Sequence, residues 1–131
     1  MAEPIFFADP VTVAGLADGH SVETTIMTCN PITVDTIDKT VTVWGTLNIT
    51  PGTNAVTEVL KVKRGVGTGG TQVGTTTTTL CIATQQINIP FMVVDTPGES
   101  AGLVYTVTLA AGSGTVNGTV NFGAICALVS E

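Results

Sequence analysis

The stretch TQVGTTTTTLCIA, residues 71–83, runs five consecutive threonines into an apolar ending. Threonine's branched Cβ suits a pleated strand, its hydroxyl hydrogen-bonds across to a neighbour, and its methyl packs. Mucin-like stalks are threonine-rich as well, but they are also proline-rich and do not run into Leu80-Cys81-Ile82. The stretch therefore reads as a strand over 74–82. Thr76, Thr78, Leu80 and Ile82 share one face, and Thr75, Thr77, Thr79 and Cys81 share the other.

The same period of two recurs along the chain. In VTVWGTLNIT (41–50), Val41, Val43, Leu47 and Ile49 alternate with Thr42, Trp44, Thr46, Asn48 and Thr50. In LVYTVTLA (103–110), Leu103, Tyr105, Val107 and Leu109 alternate with Thr106 and Thr108. In INIPFMV (87–93), Ile87, Ile89, Phe91 and Val93 share a face. No window shows a sustained helical repeat, and threonine supplies 25 of the 131 residues. Turn signals separate the runs, among them Thr50-Pro51-Gly52, the glycines of 65–70, Thr96-Pro97-Gly98 and Asn117-Gly118. The spacing predicts strands at 11–16, 22–28, 32–36, 41–50, 56–64, 74–82, 86–94, 103–110, 115–121 and 123–129. Pro90 places the seventh at an edge or a bulge. Eight to ten short antiparallel strands predict an all-β sandwich, 16–131, in a single domain.

Charged residues make up only 11% of the chain, against about a quarter in an average protein, and mean hydropathy is +0.48. A folded protein this poor in charge is expected to have part of its outside covered by other chains. Net charge is −6, with only Lys39, Lys61, Lys63 and Arg64 positive. No basic stripe exists for phosphates, which argues against nucleic acid and against anionic membranes as partners. No apolar run approaches a membrane-spanning helix. MAEPIFFADP lacks the basic and long apolar parts of a secretory leader, so folding in the cytoplasm is expected. Cys29, Cys81 and Cys126 are odd in number, widely spaced and set among apolar residues, so they are expected to be free, buried thiols.

Catalytic and metal signatures are weak throughout. His20 is the single histidine and lies in a turn; no GxSxG elbow surrounds any serine. One histidine and three scattered cysteines do not make a zinc site. Asp35 and Asp38 lie three apart, but a calcium loop draws more acids from one segment, and aspartates at turns usually cap them. The glycines of 65–70 are followed by the threonine strand rather than a helix, so they form a hairpin loop and not a phosphate cradle. The expectation is a domain with no enzyme activity, no cofactor and no metal. Trp44 stands out because it lies on the threonine face of its strand. There it caps the sheet, fills a subunit contact or offers a platform for a sugar ring.

Residues 89–131, IPFMVVDTPGESAGLVYTVTLAAGSGTVNGTVNFGAICALVSE, carry a long strand with a central tyrosine, a Gly-Ser hairpin and a final apolar strand. This ending resembles those of phage head-decoration (cement) proteins and related viral jelly rolls. The resemblance implies a jelly-roll-like sandwich and a homotrimer on the outside of a phage capsid, assembled in the host cytoplasm. Its partners would be copies of itself and the major capsid protein. It also implies that residues 1–15 form an extended N-terminal arm that docks on a neighbour through Ile5, Phe6 and Phe7, with Trp44 near the subunit contact. The alternative is a carbohydrate-binding or receptor-binding module of a tail or fibre, which an aromatic-lined groove would favour.

Overall fold

Branched side chains and the scarcity of good helix formers leave extended structure as the accessible choice, and the chain takes it almost throughout. The computed structural model describes residues 5–16, 23–29, 31–35, 37–98, 101–113 and 118–130. These form ten strands: β1 (Ile5–Leu16), β2 (Thr24–Thr28), β3 (Ile32–Val34), β4 (Thr40–Pro51), β5 (Val56–Arg64), β6 (Thr71–Cys81), β7 (Ile87–Asp95), β8 (Ala101–Leu103), β9 (Tyr105–Ser113) and β10 (Gly118–Ser130).

The pairing is nested. β5 pairs with β6, β4 with β7, β3 with β8, β2 with β9 and β1 with β10, all antiparallel. Arg64 stands opposite Thr71, Val41 opposite Asp95, Ile32 opposite Leu103, Thr24 opposite Leu109, and Ile5 opposite Leu128. The chain is thus one long hairpin that doubles back at the glycine-rich turn 65–70. Gly65 and Gly67 take φ of 120° and 73° there, a region that side chains with a Cβ avoid. Lys63 Nζ closes the turn on the Thr68 carbonyl at 2.6 Å.

Rolling this hairpin up brings β10 beside β4 and β9 beside β5. Two four-stranded sheets result, β1-β10-β4-β7 and β2-β9-β5-β6, with β3-β8 as a small third. A rolled hairpin with that strand order is a jelly roll, an all-β sandwich of the class the alternation predicts. Val41, Val43, Leu47 and Ile49 are buried between the sheets, as are Leu103, Tyr105, Val107 and Leu109.

The structure revises three boundaries. The expected strands 115–121 and 123–129 are one strand, β10, carried past an irregularity between Val120 and Phe122 where its register with β4 shifts. The run 103–110 divides at Val104 into β8 and β9. The segment expected as a separate arm is extended, but Ile5–Leu16 is β1, an edge strand of its own chain's first sheet. The physical reason is that β10 lies between two strands and needs a partner on the side away from β4. Pro10 is tolerated because β1 is an edge and its register breaks between Ala8 and Val11. Residues 1–4 lie outside the described residues.

None of the cysteines is in a disulfide; Cys29 and Cys81 are buried and Cys126 is half-buried. Burial raises the pKa of Cys29, and burial together with the nearby Glu58 carboxylate raises that of Cys81 to about 11. Both therefore stay protonated and unreactive at neutral pH. Thiol titration of the native protein is expected to modify Cys126 first, with Cys29 and Cys81 following only on denaturation. Fast modification of all three in the native state would contradict the packing.

Candidate assembly face

The two sheets present different outsides. Three of the four basic residues, Lys61, Lys63 and Arg64, lie on β5 in the second sheet. Lys63 pairs with Glu23 at 2.9 Å, and Glu23 also accepts from the Thr108 hydroxyl at 2.5 Å. In the first sheet, β4, β7 and β10 carry one charged residue between them, Asp95, which is buried.

The outward positions of the first sheet form rows across three strands. Cys126, Trp44 and Met92 make one row, Leu128, Thr42 and Val94 the next, and Ala124, Thr46 and Pro90 a third. None of the nine is charged. Met92 is 71% exposed and Val94 57%, while Trp44, Cys126 and Leu128 are half-buried against their neighbours. Phe122, 43% exposed, continues the apolar surface along β10. Such a continuous uncharged face is unusual for a surface in contact with water alone.

Polar groups close both ends of this face. At one end Asn48, 4% exposed, donates to Asn88 Oδ1 at 2.6 Å and accepts from Gln86 at 2.7 Å and Asn121 at 2.8 Å. Asn121 also donates to the Thr50 hydroxyl at 2.8 Å. This amide cluster ties β4, β7 and β10 together. At the other end the Thr40 and Ser130 hydroxyls bond at 3.0 Å.

Beneath the face, Tyr105 is fully buried and donates from its hydroxyl to Asp95 Oδ2 at 2.6 Å. Asp95 is held in turn by Arg64 Nη1 at 3.3 Å. The group joins β9 and β5 of the second sheet to β7 of the first, so it fixes how the sandwich closes. Burial, reinforced by the Asp95 carboxylate, pushes the Tyr105 pKa well above its ordinary value of 10.0. A raised pKa in the folded state means the folded chain keeps a proton that the unfolded chain gives up above about pH 10. Stability is therefore expected to fall as pH rises beyond that value. Tyr105 is the sole tyrosine, so tyrosinate absorbance reports this group alone. Its rise is expected to coincide with loss of the native fold. Tyrosinate appearing near pH 10 in a chain that remains folded would show the hydroxyl to be accessible.

Of the residues singled out in the sequence, Trp44 sits at the centre of the face. Ile5, Phe6 and Phe7 stand in register with Leu128, Ala127 and Cys126, so β1 lies in the same sheet as Trp44. Phe7, Cys126, Trp44 and Met92 share one register row across four strands. His20 lies outside the described residues. Asp35 and Asp38 are exposed beside the turn before β4, and each has an interaction partner. Among the described residues, no three His, Cys, Asp or Glu side chains converge. Met92 and Val94 are not among the residues singled out in the sequence. Their signal was present in the run Phe91-Met92-Val93-Val94, where alternation points two apolar residues inward and leaves two to face out.

No family model matches the chain, and no curated protein does. Solved structures do. The structure of infectious bursal disease virus, Gt strain, aligns with a TM-score of 0.61 at 13% identity, covering 95% of this chain and 33% of that one. The Gx strain gives 0.57 at 15%, covering 97% and 33%. The T13 particle of the same virus gives 0.52 at 12%, covering 98% and 37%. The chain spans about a third of the length of these viral chains. At such identities the likeness is one of fold: the chain shares its all-β jelly roll with chains of that virus.

Proposed function

We propose that the chain is a non-enzymatic structural protein of a virion, a decoration or cement protein on the outside of a phage head. The first sheet's outward face is its contact surface. The observation that carries this reading is the block of nine uncharged outward positions centred on Trp44. Burying such a face against other subunits removes apolar area from water, and no charge has to be desolvated in doing so. The jelly-roll likeness to capsid chains supports the class. Its partners are copies of itself, in a homotrimer, and the major capsid protein. Closed rotational symmetry lets identical faces cover one another without growing into fibres.

The surroundings of Trp44 favour assembly over a sugar site. Its neighbours in the row are Met92 and Cys126, on a broad sheet face rather than in an aromatic groove. Sedimentation equilibrium of the purified protein tests the oligomer. A trimer is expected at tens of micromolar, roughly the range of a modest interface. Met92→Lys sets an ammonium in the contact and is expected to weaken association at least tenfold without unfolding the chain. Electron microscopy of particles with labelled protein tests the location. Label on the outer capsid surface is expected, and label confined to a tail or fibre would overturn the decoration role.

A further inference from the structure

The two large sheets end in four edge strands, β1 and β7 in the first and β2 and β6 in the second. An edge strand offers unpaired backbone groups, and proteins usually blunt it with charge, proline, a bulge or shortness. β1 carries Asp9 and Pro10 and a broken register. β7 carries Pro90 and ends in Asp95. β2 is five residues long and follows directly on Glu23.

β6 differs. It runs for eleven residues, TQVGTTTTTLC, with no charge and no proline. Its one irregularity lies in mid-strand, where its partners on β5 pass from Val62–Val73 to Leu60–Thr77, and beyond it the edge is free of bulges. Gly74, at φ 67°, lies against Val93 of β7, so that part of the edge is taken up in closing the sandwich. From Thr77 to Cys81 the strand is regular, in step with β5 from Leu60 to Val56. Cys81 is buried in the core and anchors it, while Thr78 is exposed and Leu80 is 65% exposed.

We infer that the Thr77–Cys81 edge is a second self-association site, where the same segment of another copy adds as an antiparallel strand across a twofold axis. A run of identical threonines is complementary to itself. With the twofold axis at Thr78, Thr78 meets its own copy and Thr77 meets Thr79, a pairing that favours a sheet. The chain is net acidic, at −6, so copies repel wherever their acids approach, and residues 71–82 contain none. Backbone hydrogen bonds supply the affinity, and exposed Leu80 and Ile82 gain cover beside the join. The site lies on the opposite sheet from the Trp44 face and does not depend on it. A molecule with one contact on a face and another at the far edge joins into an extended layer.

The test combines sedimentation with hydrogen exchange on wild type, Thr78→Lys and Met92→Lys. Wild type is expected to grow beyond its first oligomer as concentration rises, with amides of 76–82 exchanging more slowly in the larger species. Thr78→Lys, on an exposed position, is expected to keep the wild-type melting temperature, stop growth at the face-mediated oligomer and weaken the edge contact at least tenfold. Met92→Lys is expected to leave a dimer protected at 76–82. Growth unchanged by Thr78→Lys, Met92→Lys reducing the protein to monomers, or protection at β1 or β7 instead would each overturn the edge site. Failure of the face reading looks different: Met92→Lys then behaves as wild type while Thr78→Lys still abolishes growth.

Discussion

Gly45→Val is expected to destabilise the fold by about 4 kcal/mol or more, enough to threaten a domain whose whole stability is of order 10 kcal/mol. Gly45 lies in the middle of β4 at an inward position, in line with Val43 and Leu47, and is paired with Ile125 on one side and Phe91 on the other. A Cβ there would fall on the carbonyl oxygen of Ala124 and come within 2.8 Å of Phe91 Cζ. The first obstacle is backbone in the centre of a sheet, which cannot swing aside as a side-chain end can. The second is a ring 6% exposed, packed in the core. Overpacking at such a point displaces β10 or expels Phe91, and either loses contacts across the sandwich. Gly69→Ala is the control. Nothing lies within 4 Å of the added methyl, and the change is expected to stay within about 0.5 kcal/mol. Urea unfolding of both variants measures the contrast. A Gly45→Val chain as stable as the control would mean that β4 and β10 are not packed as described.

Gly45 also marks where reading the sequence stops. Alternation in 41–50 assigned the inward face correctly, because Val41, Val43, Leu47 and Ile49 differ in kind from the threonines between them. The glycine at 45 broke the pattern without saying why, since the reason is a ring from another strand and a carbonyl from a third. The strands themselves were legible for the same local reason, and Pro90 correctly marked an edge. Their partners were not. That Ile5 meets Leu128 and Val56 meets Cys81 follows from one hairpin being rolled up, a property of the whole chain. Tyr105 was readable as inward-facing, but its bond to Asp95 joins two sheets and has no local signature. The uncharged face of the first sheet was half legible. Trp44 announced itself by sitting among threonines, while Met92 and Val94 were hidden in an apolar run that reads as core on both sides. β10 was cut in two at Phe122, beside the place where its register with β4 shifts. In the fold Asn121 bonds to Asn48, and Gly123 packs against Leu47 and Met27.

Removing residues 1–16 is expected to abolish the cooperative fold. Under the expectation of a free arm, such a truncation would cost assembly alone. In the structure it removes a whole strand. β1 pairs with β10 from Ile5–Leu128 to Leu16–Gly118, and β10 is the strand that joins β1 to β4. Without β1, the full length of β10 becomes an edge, uncharged over thirteen residues and fixed in place on the core by Val120, Ile125, Ala127 and Val129. Its backbone groups on that side then lose their partners along a long, uncharged strand, the kind of edge that aggregates. A strand's worth of hydrogen bonds and packing is comparable with the total stability of a domain this size, so little folded protein should remain. Far-ultraviolet circular dichroism and urea unfolding of residues 17–131 test this. The decisive arm adds a synthetic peptide of residues 1–16 in trans. Strand addition to the vacated edge is expected to restore a cooperative transition. If residues 17–131 instead unfold cooperatively with near wild-type stability, β1 is dispensable to its own sandwich and free to pair with β10 of a neighbour, which is where an arm bridging capsid subunits would place it.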